Sequence, residues 1–233
     1  MGGRPWECGT ADNGFECDND SQAGPFRPRD RRQGETGRVK RLYFVRHGQT
    51  DWNAEGRLQG QRDIPLNAEG LRQAAEAAAR LAAVAGADLA TLDFAASPLL
   101  RTRRTMEVMR SRLGFPEDGY RLDPRLKEIS FGAWEGATWA EIRRRDAARA
   151  AARDRSRWEY QSPGEGGESY AMLAERVAPA LADLTGPTVI VAHGGVARAI
   201  LVIRGHLGIR EAPRMGIRQG GVLVLDDAGW RWA

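Results

Sequence analysis

The chain has 233 residues, of which 42% are hydrophobic, and its formal net charge is +4 at pH 7. This length and composition suit one domain with a sizeable core, preceded by a short tail. No apolar run approaches the roughly 18–20 residues that span a bilayer, and no apolar signal core lies near the N-terminus, so we expect a cytoplasmic protein without membrane association.

Cysteine and histidine are too scarce to build a common metal site. Cys8 and Cys17 are the only cysteines, and both lie in the N-terminal tail. Two of the three histidines, His47 and His193, lie at the ends of predicted strands, where they are expected to serve a different role. We therefore expect no disulfide in the folded part, no metal ion and no cofactor.

The positive charge lies largely in arginine-rich helical stretches such as residues 143–157, where acidic residues are interleaved. This pattern favours a solvated helix face. A nucleic-acid surface is the alternative, but no nucleic-acid-binding module is recognisable, so no such partner is expected. A mildly basic surface would instead attract anionic phosphoesters.

The first 38 residues are rich in Gly, Pro, Asp, Asn and Arg and show no hydrophobic period. This composition predicts a disordered tail over residues 1–38 and a folded domain over residues 39–233. An alternative is that the tail is not translated, because a valine codon at position 39 can serve as a bacterial start.

The first chemically informative stretch is a strand that ends in a basic pair. Residues 41–45 are apolar, aromatic or β-branched after the first arginine, which predicts a buried strand, and Arg46 and His47 follow directly. Gly48 allows a sharp turn there. Ligands bind at the carboxyl ends of strands in open α/β sheets, so Arg46 can grip phosphate oxygens while the His47 ring attacks phosphorus.

The same construction occurs again downstream. Residues 188–192 predict a second buried strand, which ends in His193, Gly194 and Gly195. One histidine at a strand end is more often a satisfied polar residue than a nucleophile, but two in the same construction favour a shared site. A helix predicted over residues 196–204 begins beside His193, where free amides also favour an anion.

Between these motifs the sequence predicts two helices and a third strand. Asn67 caps a helix over residues 68–85, and the strand covers residues 91–96. Ser97 is expected to cap the next helix, with Arg101 in its first turn near the strand end. The core face of the first helix is predicted to contain Leu71, Ala74, Ala75, Ala78 and Leu81.

The second half of the chain continues the alternation of strands and helices. A capping box opens a helix over about residues 138–153, and a glycine-rich loop over residues 158–169 is interpreted as a mobile lid. Ser169 caps a helix to about residue 184, and a final strand covers residues 219–225. This order favours a layered α/β sandwich with a mostly parallel sheet.

Several separated blocks together resemble one family. Residues 46–53 (RHGQTDWN) are similar to the signature of the histidine phosphatase superfamily, the phosphoglycerate mutase-like proteins. Residues 97–105 resemble its second signature, which supplies a phosphate-binding arginine, here Arg101. The resemblance runs from Lys40 to the C-terminus. It implies a three-layer α/β/α sandwich whose mixed, mostly parallel sheet has one antiparallel strand.

The resemblance also assigns roles to single residues. It implies catalytic roles for His47, Glu128 and His193, and it selects Glu128 because this glutamate precedes Phe-Gly-Ala-Trp-Glu-Gly in the matching block. Glu135, the second carboxylate there, is expected to hold the following turn. The expected substrate-binding residues are Arg46, Asn53, Gln59, Arg101 and Gly194.

These assignments predict a phosphomonoesterase that acts through a phosphohistidine on His47, with Glu128 as general acid and then base. The block around Glu128 resembles the phosphatase branch, so the expected substrate is a small phosphorylated metabolite that the sequence does not name. A cofactor-dependent phosphoglycerate mutase and an inactive regulatory homologue are the alternatives. The sequence does not decide between a monomer and a homodimer.

Overall fold

One mixed sheet organises the part of the chain from Lys40 onward. The computed structural model describes residues 40–233. Within them, the strands are β1 (Leu42–Arg46), β2 (Asp93–Ala96), β3 (Arg121–Leu122), β4 (Thr188–Ala192), β5 (Val222–Asp226) and β6 (Gly229–Trp232). The helices are α1 (Asp51–Ala54), α2 (Ala68–Ala85), α3 (Leu100–Arg112), α4 (Trp139–Arg145), α5 (Ala147–Arg155), α6 (Tyr170–Ala182) and α7 (Gly194–Ile203). The tail predicted over residues 1–38 lies outside the described residues.

The strand order is β3-β2-β4-β1-β5-β6. The pairs β3-β2, β2-β4 and β4-β1 are parallel, whereas β5 is antiparallel to both β1 and β6. Strand β5 is therefore the one strand that runs against the others, as the family resemblance implied. Since β1 and β4 are neighbours, their carboxyl ends, and the residues that follow them, come together in the middle of the sheet.

Helices cover both faces of the sheet, which confirms the predicted three-layer sandwich. Alternation along β1 places Leu42 and Phe44 in one core cluster, with α6 and α7, and Tyr43 and Val45 in the other, with α2 and α3. Strand β4 alternates in the same way, and all five of its residues are buried. The two central strands are thus fixed on both faces, which makes their ends a rigid platform.

Several local predictions differ from the structure. The strands β3 and β6 were not predicted, and the single helix expected over residues 138–153 is divided into α4 and α5 at Asp146. Leu71 was predicted to lie in the core, but its exposed fraction is 39%. Ser97 does not cap α3, whose first helical residue is Leu100 and whose N-cap position has no side-chain hydrogen bond.

The glycine-rich segment over residues 158–169 is fastened to its neighbours by backbone hydrogen bonds. The Pro163 carbonyl accepts from the Ala133 amide (2.7 Å), and the Glu168 amide donates to the Ser130 carbonyl (2.9 Å). In this structure the segment expected to be a mobile lid is therefore held by these hydrogen bonds.

No helix in the described part of the chain is long and apolar enough to cross a membrane.

The two leucines of α2 provide a test of which face of this helix is buried. We expect Leu81→Ala to lower the free energy of unfolding by about 2–5 kcal/mol, because Leu81 is fully buried between α2 and the sheet. The matched variant Leu71→Ala should stay within about 0.5 kcal/mol of the wild type. Urea unfolding measures both, and equal losses would contradict the packing described here.

Candidate active site

Two buried imidazoles lie against each other at the ends of the central strands. His47 follows β1 and His193 follows β4, and the His47 amide donates to the Ala192 carbonyl (2.9 Å), which ties the two strand ends together. The ring centroids are 5.2 Å apart, and the ring planes make an angle of 60°. The two histidine motifs, distant in sequence, therefore belong to one site.

The backbone determines which nitrogen of His47 carries the proton. Nδ1 lies 2.7 Å from the Gly48 carbonyl oxygen, and because a carbonyl only accepts, Nδ1 donates and Nε2 keeps its lone pair. Burial, and after it the positive charges of Arg101 and Arg46, hold the pKa of His47 well below its ordinary value of 6.5. The ring is therefore neutral at pH 7 and able to act as a nucleophile.

His193 is held through its other nitrogen. Its Nε2 lies 2.8 Å from the Ser97 hydroxyl, whereas its Nδ1 is buried without a hydrogen-bond partner. Burial, followed by the charge of Arg101, lowers the pKa of His193 well below the ordinary value. Ser97, predicted to be a helix cap, thus orients the second imidazole instead.

Two arginines bring positive charge to the imidazoles. Arg101 is fully buried and donates to the carbonyls of Arg62 (2.7 Å) and Gly60 (2.8 Å), and Arg46 donates to the Ile217 carbonyl (2.9 Å). Burial lowers the pKa of both guanidinium groups, that of Arg101 to about 10, a value at which Arg101 is charged at neutral pH. Their hydrogen bonds go to backbone carbonyls, which leaves their charge unneutralised by a direct ion pair.

The inward-facing nitrogens of these side chains form a candidate phosphate pocket. Arg46 Nε, Arg101 Nε and His193 Nδ1 are all buried without a hydrogen-bond partner in the described structure. Buried polar atoms are almost always hydrogen-bonded, and three unpaired nitrogens around one nucleophile call for an acceptor with several oxygens. A tetrahedral phosphoryl group meets that requirement.

Glu128 lies at the edge of the same pocket. Its carboxylate accepts hydrogen bonds from the Gly195 amide (3.0 and 3.1 Å) and from the Ile129 amide (2.9 Å). A Cβ at position 195 would collide with this carboxylate, so only glycine permits the close approach. The negative charge of Glu128 also acts on the guanidinium groups of Arg46 and Arg101, which places it beside both phosphate-binding candidates.

The structure places the other predicted substrate-binding residues, Gly194, Gln59 and Asn53, in three different surroundings. Gly194 begins α7, and a Cβ there would lie 3.7 Å from Arg46 Nε. Gln59 is buried, and its Oε1 has no hydrogen-bond partner. Asn53 Oδ1 accepts from the Thr50 amide (3.2 Å) and from Gln219 Nε2 (2.9 Å), so this side chain fixes the loop after β1.

The role expected for Glu135 needs a correction. Its carboxylate does not hold the turn that follows it but reaches the Gln61 amide (2.9 Å) and Arg62 Nε (3.3 Å). The Arg62 carbonyl in turn accepts from Arg101. Glu135 therefore supports the loop that orients a phosphate-binding arginine, a link that spans long sequence distances and leaves no local motif.

Sequence reasoning also missed two arginines near the pocket. Arg198, on α7, donates to the Met215 carbonyl (2.9 Å) and to the Tyr170 hydroxyl (3.2 Å), and its charge lowers the pKa of Arg46. Arg176, on α6, contributes to the lowered pKa of His193. Neither follows a strand, so the strand-end pattern that identified Arg46 could not identify them.

No group of three or more His, Cys, Asp or Glu side chains in the described part of the chain is arranged to hold a metal ion. The charge in the site is supplied by Arg46 and Arg101. Two neutral imidazoles beside two guanidinium groups, on an α/β sandwich, are an arrangement that suits a phosphoryl-transfer enzyme.

Comparison with known proteins identifies the family. The model of the histidine phosphatase superfamily (branch 1) matches residues 42–233, so the chain belongs to this superfamily and is a histidine phosphatase, a phosphoric monoester hydrolase. The chain is 36% identical to glucosyl-3-phosphoglycerate phosphatase of Mycolicibacterium vanbaalenii in an alignment 195 residues long, which covers 77% of this chain and 80% of that protein.

Two further proteins are similar over most of the chain. Metal-independent phosphoserine phosphatase of Arabidopsis thaliana is 35% identical over 200 residues, covering 83% of this chain and 79% of that protein. The structure of mycobacterial glucosyl-3-phosphoglycerate phosphatase in complex with VO3 matches with a TM-score of 0.68 at 32% identity, covering 83% of this chain and 97% of that one. These likenesses agree with the fold described above.

The neutral, buried histidines predict a specific dependence of stability on pH. As the pH falls through 6.5, His193 binds a proton in the unfolded chain but not in the folded one, so its contribution to folding is present above this pH and is lost below it. Between pH 7.5 and 5.5 the loss should be about 1 kcal/mol for this residue.

Urea unfolding of the wild type and of His193→Gln at both pH values measures how much His193 contributes to the pH dependence of the unfolding free energy. The fall in unfolding free energy should be smaller in the variant by about 1 kcal/mol, since glutamine does not titrate. Equal falls in the two proteins would show that His193 binds its proton as readily in the folded state as in the unfolded chain.

Proposed function

We propose that this histidine phosphatase hydrolyses a small phosphorylated metabolite through a phosphohistidine on His47, with Glu128 as general acid and then general base. The observation that carries the proposal is the combination of a neutral His47, whose Nε2 keeps its lone pair, with three unpartnered buried nitrogens beside it. Nucleophile, charge stabilisation and proton donor are then assigned to separate side chains.

In the first step, the Nε2 lone pair of His47 forms a bond to phosphorus while the bond from phosphorus to the ester oxygen breaks. Arg46, Arg101 and His193 stabilise the negative charge on the oxygens that do not react. Glu128, as the proposed general acid, gives its proton to the departing alcohol.

In the second step, Glu128, now a carboxylate, takes a proton from water as the water oxygen bonds to phosphorus. The bond between phosphorus and Nε2 breaks, and inorganic phosphate leaves with His47 neutral again. The hydrogen bond from Nδ1 to the Gly48 carbonyl keeps the ring in one orientation through both steps. No other proton donor is required, because Glu128 returns to its starting state.

The names of the similar proteins support a substrate class. Glucosyl-3-phosphoglycerate and phosphoserine are both phosphate monoesters of small carboxylic acids. We propose a phosphate monoester of this size for the present chain, with transfer to water rather than to a second hydroxyl. A panel of phosphorylated small acids, measured with and without 2,3-bisphosphoglycerate, tests both parts, and isomerisation of 3-phosphoglycerate faster than its hydrolysis would contradict the second.

Replacing the nucleophile should abolish hydrolysis. We expect His47→Ala to reduce kcat/KM for p-nitrophenyl phosphate on the order of a thousandfold or more, because no other side chain can form the covalent intermediate. His206→Ala is the matched control, since it removes the third histidine, which lies beyond the end of α7, and should retain activity. Comparable losses in both variants would argue against His47 as the nucleophile.

The intermediate itself should accumulate when its hydrolysis is slowed. In Glu128→Gln, an ester with a good leaving group still phosphorylates His47, but water is no longer activated by a carboxylate. Intact-protein mass spectrometry after mixing with 2,4-dinitrophenyl phosphate should show one acid-labile phosphoryl group per chain. The double variant with His47→Ala should show none, and an adduct that survives this change would place the phosphoryl group elsewhere.

A further inference from the structure

The proposed general acid is not carried by a regular element. Glu128 lies between two short 3-10 helices, Pro124–Leu126 and Gly132–Trp134, whereas the groups around His47 extend from strand ends or helix starts. No ladder of strand hydrogen bonds fixes its backbone. Its position must therefore come from other contacts.

A single guanidinium supplies several of these contacts. Arg176, on α6, donates to the carbonyls of Arg125 (2.9 Å), Lys127 (3.0 Å) and Glu128 (3.3 Å). The Glu128 carbonyl also accepts from Gln61 Nε2 (3.2 Å). Three backbone carbonyls at and just before the proposed acid thus accept hydrogen bonds from one planar, rigid group, the Arg176 guanidinium.

The Arg176 guanidinium also pairs with the carboxylate of Glu168, which contacts the backbone on the C-terminal side of Glu128. Glu168 receives two hydrogen bonds from Arg176, Nε to Oε1 (2.9 Å) and Nη2 to Oε2 (2.8 Å). Its Oε2 also accepts from the Ser130 amide (2.9 Å), and its own amide donates to the Ser130 carbonyl (2.9 Å). The side chains of Arg176 and Glu168 are 23% and 14% exposed, so the pair is largely shielded from water.

We propose that the Glu168–Arg176 pair is a positioning device for the general acid, which places the Glu128 carboxyl group at the leaving-group oxygen by holding residues 125–130 from both sides. The inference rests on the proposed function, because it assumes that Glu128 donates the proton. Neither member of the pair is assigned a contact with the substrate. The contacts of the pair are hydrogen bonds to the backbone of residues 125–130, so its proposed role is geometric.

The chemistry of the leaving group distinguishes a positioning role from general support of the fold. An alkyl phosphate needs a proton on its departing oxygen, whereas 2,4-dinitrophenolate leaves without one. Because kcat/KM reports only the steps up to the first irreversible one, it isolates phosphoryl transfer to His47 from the later attack of water. The ratio of kcat/KM for the two esters therefore measures how well the acid works.

The variants are Arg176→Lys, which cannot form the bidentate pair while also reaching three carbonyls, and Glu168→Gln, which keeps the shape but weakens the pair. We expect kcat/KM for an alkyl phosphate to fall on the order of 10- to 100-fold, against less than about threefold for 2,4-dinitrophenyl phosphate. If thermal melting shows that Arg176→Lys does not fold, the ratio of the two esters in Glu168→Gln tests the positioning role.

Arg110→Lys is the matched control. Arg110 is also buried and donates to a backbone carbonyl, that of Pro116 (2.7 Å), but its guanidinium stacks over the Phe94 ring (4.7 Å) in the core cluster of α2 and α3, on the other face of the sheet from α6. This change should lower Tm and leave the ratio of the two esters as in the wild type. A shift in the ratio here would mean that any loss of stability disturbs the acid.

A second comparison tests whether the pair acts through Glu128. Adding Arg176→Lys to Glu128→Gln should change kcat/KM for the alkyl phosphate less than about threefold, because the acid that the pair positions is already absent. A full further loss in the double variant, or equal losses for both esters in the single variants, would overturn the positioning role.

The proposed function is tested by different measurements. A wild type without phosphatase turnover, or a Glu128→Gln variant that keeps the wild-type ratio of kcat/KM for the two esters, would contradict the proposed function itself. If both behave as expected while the Arg176 and Glu168 variants keep the wild-type ratio, only the positioning role fails.

Discussion

Arg46 and Arg101 bring two positive charges to the buried imidazoles, and no carboxylate in the described part of the chain forms a direct ion pair with either of them. Arg46 and Arg101 lie at the carboxyl side of the central strands, and their hydrogen bonds go to the carbonyls of Ile217, Gly60 and Arg62. Burying a charge is unfavourable unless it is hydrogen-bonded or paired, so these carbonyls only partly offset the penalty. Such charges favour an anion, and together with burial, which has the larger effect, they lower the pKa of both nearby imidazoles. One electrostatic feature thus suits both proposed roles, phosphate binding and preparation of the nucleophile.

The strand ends could be predicted from sequence because their signal is local. Buried strand runs end directly at Arg46 and His193, and in a parallel pair the ends of such runs must meet. The choice of Glu128 came from the family resemblance, since its carboxylate contacts Gly195, which is far away in sequence. Composition and spacing carry no signal for a contact of that kind.

The parts that could not be predicted share a physical reason. Strand β3 has only two residues, and β6 combines a glycine, an arginine and two tryptophans without clean alternation, so neither shows a strand period. Leu71 fits the helical spacing of a core residue, but spacing alone does not define how wide the buried face of α2 is. Ser97 satisfies the pattern of an N-cap, yet His193, brought next to it by the sheet, takes its hydroxyl. In each case a tertiary contact decides what a local pattern leaves open.

The site therefore combines groups of two kinds, and the distinction bears on how such enzymes change. The nucleophile and the anion-binding groups are fixed by the sheet, whose two packed faces allow little movement at the ends of β1 and β4. The proposed acid lies on an irregular segment whose place is set by side chains such as Arg176 and by the loop near Gln61. Substitutions in those contacts can shift the acid relative to the phosphate pocket without altering the pocket itself. Preference among leaving groups is then the property most open to change, whereas the proposed phosphate binding and the proposed attack by His47 are the most constrained.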